Sequence, residues 1–270
     1  MANYIKVNSD GTQARAFTEV SVVSVNTSAT KVNVSNVAEL EAAVAAQTAG
    51  QFIVIAPGEY QLTASLTIPM AADGGGLIGE GSVVITGAAL IDQAVLIAHT
   101  TSTGTFEYTF AGALELEGGS NKIALKITNG STTQKTIIYF RNSAHCIDNG
   151  SGIALSCVST GTGAMRMYVN GEGQGFDTIN ITPATANDRF IFTNVSIDKV
   201  MVIAATPDVA AHYFFSGCRL KHEGITGGGA ASIKSAAYCW TEAAADNHIP
   251  VVLDTNDFTG AATEVLLQGS

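Results

Sequence analysis

The sequence predicts an all-β chain: a single-stranded parallel β-helix, a solenoid of roughly nine coils, with an N-terminal capping α-helix. Three observations support that expectation. Short strand-like runs alternate with corners of Gly, Asn, Ser or Asp from Phe52 onward, among them Thr136-Ile137-Ile138-Tyr139-Phe140, Met165-Arg166-Met167-Tyr168-Val169 and His212-Tyr213-Phe214-Phe215. A small or polar residue closes successive runs at Asn142, Asn170, Asn194, Gly217, Cys239 and Asn256, at spacings of 28, 24, 23, 22 and 17 residues. A period in that range belongs to stacked coils, whereas a meander of hairpins turns every ~8–12 residues. Finally, the one segment of helical period lies ahead of all these runs.

The composition suits such a body. Hydrophobic residues make up 46% and charged residues 13%, so the chain can bury a large core. The 28 glycines against 5 prolines favour tight corners over stiff linkers. With 13 basic and 23 acidic residues the net charge is −10, which argues against a nucleic-acid partner, whose phosphates require a basic face. No apolar run is long enough to span a bilayer, so no membrane partner is expected. The opening residues lack the charged and apolar regions of a secretion signal. Cys146, Cys157, Cys218 and Cys239 sit inside apolar runs without paired spacing. They read as buried thiols of a chain made in a reducing cytoplasm, neither a disulfide framework nor a zinc site.

The chain divides into an N-terminal arm (1–30), a capping-helix segment (31–51), the parallel β-helix (52–260) and a C-terminal tail (261–270). The arm is polar, with strand-like alternation at 18–25 and again in Lys31-Val32-Asn33-Val34, and reads either as slack or as a segment that orders on a partner. Asn36 is placed to cap the helix and Glu39, three residues on, to complete a capping box. Val37, Leu40 and Val44 form its apolar stripe, and Gly50 is suited to end it in the left-handed conformation. Phe52-Ile53-Val54-Ile55-Ala56 then reads as a buried strand closed by Pro57-Gly58. The ends of a solenoid are open apolar cross-sections that need lids, and the helix suits one of them.

Residues 37–87, above all Ile53-Val54-Ile55-Ala56-Pro57-Gly58-Glu59-Tyr60, resemble the opening of the pectin-lyase-like right-handed β-helix superfamily. Its members often begin with a capping helix, a strand ending in Pro-Gly-x-Tyr (here Pro57, Gly58 and Tyr60) and a Gly-rich coil such as Leu77-Ile78-Gly79-Glu80-Gly81. The resemblance implies a right-handed helix and says little of activity. The first twelve residues, Met1 to Thr12, are similar to the start of many small structural proteins of tailed bacteriophages, which implies a virion component.

Chemistry is sparse. Enzymes of the pectin-lyase-like group act on polysaccharides, and its hydrolases carry Asn-Thr-Asp, Asp-Asp and Gly-His-Gly strings that are absent from this sequence. Asp254-Thr255-Asn256-Asp257 reads as a corner. Glu115 and Glu117 alternate on a strand, so they share one face at ~7 Å, within the range of an inverting glycosidase pair. Together with Glu107 they form a possible carbohydrate face, against the commoner reading of a solvated sheet. The five histidines show no metal-ligand spacing, Lys221-His222-Glu223 reads as a charged corner, and the glycine strings at 74–76 and 171–175 read as turns. No catalytic residue, metal or cofactor is expected. The leading expectation is a structural virion protein that decorates or cements a phage head. It would act as a homo-oligomer, a trimer, and join the major capsid protein or another virion protein through the arm. A tail-fibre or tailspike adhesin binding host-surface glycan is the alternative, and a polysaccharide lyase or glycoside hydrolase the third.

Overall fold

The computed structural model describes residues 30–88, 91–100, 104–148, 152–171, 175–185, 187–203, 212–216, 218–228, 232–235, 239–242 and 248–251. Apart from one helix, α1 (Val37–Ala45), and a 3-10 turn at Met70–Ala72, its regular elements are strands. The first part holds β1 (Lys31–Val34), β2 (Phe52–Ile55), β3 (Gly58–Leu62), β4 (Leu66–Ile68), β5 (Gly75–Gly87), β6 (Gln93–His99), β7 (Phe106–Glu117) and β8 (Ile123–Asn129). There follow β9 (Thr136–Asn142), β10 (His145–Ile147), β11 (Ile153–Ser159), β12 (Met165–Gly171), β13 (Gly175–Thr182), β14 (Arg189–Thr193) and β15 (Ser196–Ile203). The last are β16 (His212–Ser216), β17 (Arg219–Gly228), β18 (Ser232–Ser235), β19 (Cys239–Glu242) and β20 (His248–Val251).

Two parallel sheets wind together into a β-solenoid. One runs β1-β2-β5-β7-β9-β12-β14-β16-β18, with β3 beside β5 and β10 beside β7, and the other runs from β4 through β6, β8, β11, β13, β15 and β17 to β19 and β20. Among the described residues only β19 and β20 pair antiparallel. Register keeps like positions stacked. In the first sheet Val32, Ile53, Leu77, Phe110, Phe140, Val169, Phe192 and Phe215 form one column. In the second, Ile68, Ile97, Ile127, Cys157 and Ile181 form another. From Ile53 to Phe192 and from Ile68 to Ile181 every member of these columns is buried. Alternation within each strand therefore decides the fold: every second residue enters a column shared with the coils on either side.

Both β5 and β7 turn a corner without breaking. Gly112 sits at φ 77 and packs on Gly79 so closely that a Cβ would strike the Gly79 carbonyl. Beyond that corner the two strands continue as a short second face with β3 and β10.

Several expectations are corrected here. The sheet starts at Lys31, not Phe52, because β1 pairs in parallel with β2. The helix ends at Ala45 on Ala46, which is not left-handed; Gly50 has φ 69 but lies in the following turn, its N–H on the Asp73 carbonyl at 2.7 Å. Gly75 and Gly76 belong to β5 rather than to a turn, since a Cβ on Gly76 would meet the Thr109 carbonyl and the Phe52 ring. In the corner ladder Asn142 stacks with Gly171, whereas Asn170 stacks with Arg141 and Thr193. The left-handed corner slot is held by Asn142 (φ 59) and Asn194 (φ 53), so the sequence alignment slipped by one residue at Asn170. Cys239 opens β19 in the other sheet and is no member of that ladder. Gly217 and Asn256 lie outside the described residues, as do Asp254, Asp257, residues 1–29 and the C-terminal tail.

At the β1 end, Asn36 Oδ1 accepts the Glu39 N–H at 2.9 Å. The Glu39 carboxylate reaches back one residue further than a capping box, to the N–H and hydroxyl of Ser35. Those bonds lower the Glu39 pKa, the Ser35 N–H contributing most. Leu40 and Val44 are buried and Val37 partly so. Gly58 takes φ 152, and Tyr60 is buried with its hydroxyl donating to the Ala56 carbonyl at 2.8 Å, closing the Pro57-Gly58 turn.

Candidate functional face

The bend at Gly112 separates the carboxylates that the sequence grouped. Glu115 and Glu117 lie on the second half of β7, in register with Val84 and Thr86 of β5 and with His145 and Ile147 of β10. Glu107 lies on the first half, opposite Ile137 of β9. The three do not make one face. Both members of the closer pair are half-buried and engaged: Glu115 Oε2 meets His145 Nε2 at 2.9 Å, and Glu117 Oε2 accepts from the Thr86 hydroxyl at 2.8 Å. The other ring nitrogen of His145 faces the Ser143 carbonyl at 2.8 Å. Held this way, the carboxylates brace adjacent coils. Among the described residues no three His, Cys, Asp or Glu side chains converge as a metal site. Cys146, Cys157 and Cys218 are buried, the Cys218 thiol donates to the Phe192 carbonyl at 3.3 Å, and burial raises the Cys146 and Cys157 thiol pKa values. None of the three is placed as an exposed nucleophile.

A different outer face concentrates chemistry. On β7, β9, β12 and β14 the outward positions align in three columns. Glu107, Ile137, Arg166 and Arg189 form the first; Thr109, Tyr139, Tyr168 and Ile191 the second; Ala111, Arg141, Asn170 and Thr193 the third. The Tyr139 and Tyr168 rings stack at 5.3 Å and 16°, and the Arg141 guanidinium lies 4.9 Å from the Tyr139 centroid. Burial raises the Tyr139 pKa, with Glu107 and Tyr168 adding to it and Arg141 and Arg166 opposing. Because the rings cover one another, they present edges and hydroxyls outward rather than an open aromatic plane.

Arg166 and Arg189 are direct register partners on neighbouring strands, a like-charge pair that opposes pairing unless something negative meets it. Among the described residues neither side chain has a carboxylate partner, and Arg166 Nε is buried without a hydrogen-bond partner. The nearby Asp188 does not neutralise them. It is fully buried and accepts from the backbone N–H groups of Met165, Ala184 and Thr185 at 2.7, 2.9 and 3.1 Å. That clamp ties the starts of β12 and β14 together and holds the two arginines side by side. Sequence reading missed this face because strand alternation marks its members as outward, while only the register shows that they stack. No family model, curated protein or solved structure matches this chain.

Proposed function

We propose that this chain is a structural virion protein of a tailed bacteriophage, a head-decoration or cement protein that acts as an oligomer, a trimer. In this reading the body is a right-handed β-helix of about nine coils, right-handed because parallel crossovers almost always are. The helix α1 is its lid, and the arm (1–30) ties it to the major capsid protein. The observation that best supports this is where the chain enters the solenoid. Lys31–Val34 is the terminal strand of its sheet and α1 packs against it, so the chain enters the solenoid at an end of the stack. A rigid body with a tether at one end suits a protein that must sit on a shell and stay there. The buried columns supply rigidity that a cement needs and that catalysis at a mobile site does not.

The test is to add the purified protein to expanded capsids lacking it, beside a variant deleted for residues 2–30. The full chain is expected to co-sediment with capsids and raise their disruption temperature. The deletion variant should keep its circular dichroism spectrum and melting behaviour but lose capsid binding. Equal binding by both forms, or by neither, would sink the proposal.

A further inference from the structure

From residue 32 to residue 121 the sequence carries nine acidic residues and no Lys or Arg, whereas residues 122–199 carry seven basic against five acidic. A solenoid lays sequence out along its axis, so this becomes a spatial segregation. The coils of β2 to β7 are acidic and the arginine face over β9, β12 and β14 is cationic. Glu59 and Glu80, on β3 and β5, are exposed, and Arg189 is exposed on β14. At ~4.8 Å per strand, three strand steps separate β5 from β12, an axial offset of roughly 14 Å. Lys122 reaches back across the boundary to Asp92 at 3.1 Å, but Glu80 on β5 lies too far from the Arg166–Arg189 pair on the same copy to meet it directly.

We propose that the arginine–tyrosine face (Tyr139, Tyr168, Arg141, Arg166, Arg189) docks on the acidic coils of a second copy of this chain, centred on Glu59 and Glu80. Each copy offers both surfaces, so every contact joins unlike patches. The chemistry favours this occupant over a neutral one. Two arginines on register-paired positions, without a carboxylate partner among the described residues and beside the Tyr139 and Tyr168 rings, form a row of cationic donors. Arg and Tyr are also the residues that most often anchor protein interfaces. A neutral sugar would gain little, because the ring faces that could stack on it are taken up by each other and by Arg141. The proposal rests on the oligomeric part of the preceding reading and not on capsid attachment.

The experiment uses the full chain without capsids, so failure of capsid binding and failure of this contact are read separately. Mass by light scattering is followed against protein and salt concentration for the wild type, R166E/R189E, E59K/E80K and a one-to-one mixture of the two variants. The wild type is expected to be oligomeric at low salt and to dissociate as salt rises. Each variant alone should be a monomer with an unchanged circular dichroism spectrum, and the mixture should regain association. A monomeric wild type at low salt overturns the proposal, as does an R166E/R189E protein that stays oligomeric. Monomeric variants that fail to associate when mixed overturn the pairing of these two surfaces.

Discussion

His99 shows how one side chain links burial to solution behaviour. It closes β6 with 2% of its surface exposed, its Nδ1 lies 2.8 Å from the Thr136 hydroxyl, and its ring packs near Phe106 at 6.0 Å. Burial lowers its pKa, only partly offset by Asp73. The sign follows from linkage: the unfolded chain takes up the proton first as pH falls, so acid favours unfolding. The stability that neutral His99 contributes is complete above its unfolded pKa, ~6.5, and is lost as pH drops through that value towards the lower folded one. The melting temperature of the wild type should therefore fall more steeply below about pH 6.5 than that of His99→Gln. Identical slopes in thermal scans would show that the ring is not held neutral. The histidine was visible in the sequence, but its role was not. Its partner Thr136 is 37 residues away, and only the coil register brings the two together.

At the scale of elements, local signals were read well and lateral ones poorly. The cap at Asn36, the stripe of Leu40 and Val44 and the Pro57-Gly58-x-Tyr60 turn all depend on residues within a few positions of each other, and those are the features a sequence displays. The strand corners depend on neighbours in other coils. Gly76 is glycine because Thr109 and Phe52 crowd it, and Gly112 because Gly79 does. Nothing near them in sequence announces either contact, so the glycines at 74–76 read as a turn although Gly75 and Gly76 belong to β5. The same ignorance of register put Asn170 in a ladder that Gly171 occupies, and put Glu107 with Glu115 and Glu117. The helix α1, which packs against β1, β2, β3 and β4, offers a direct test of how much it matters to the solenoid. Leu40 is fully buried, so Leu40→Ala should cost about 2–5 kcal/mol in urea denaturation. A loss of only a few tenths would mean that α1 lies on the solenoid without sealing it.

For the whole molecule, stacking makes stability a property passed between adjacent coils. The charge segregation was present in the sequence as a stretch without Lys or Arg, yet it acquires meaning only when the solenoid turns position in the chain into position along an axis. The interior follows the same logic. Tyr108, Phe110, Phe140 and Phe176 form a continuous aromatic chain, with centroid separations of 5.3, 5.1 and 5.4 Å. Phe140 is the link between β7 and β13 in that chain and also sits in the column between Phe110 and Val169. Phe140→Ala should cost about 3–5 kcal/mol, because no side chain from another coil can collapse into the space while held in register. In a structure whose coils touch only their neighbours, the loss should be local. Native-state hydrogen exchange should accelerate most in β7, β9 and β12 and least in β2. Uniform acceleration from β2 to β14 would instead mean that the described coils unfold as one unit, and that the rigidity invoked for a cement is carried by the body as a whole rather than coil by coil.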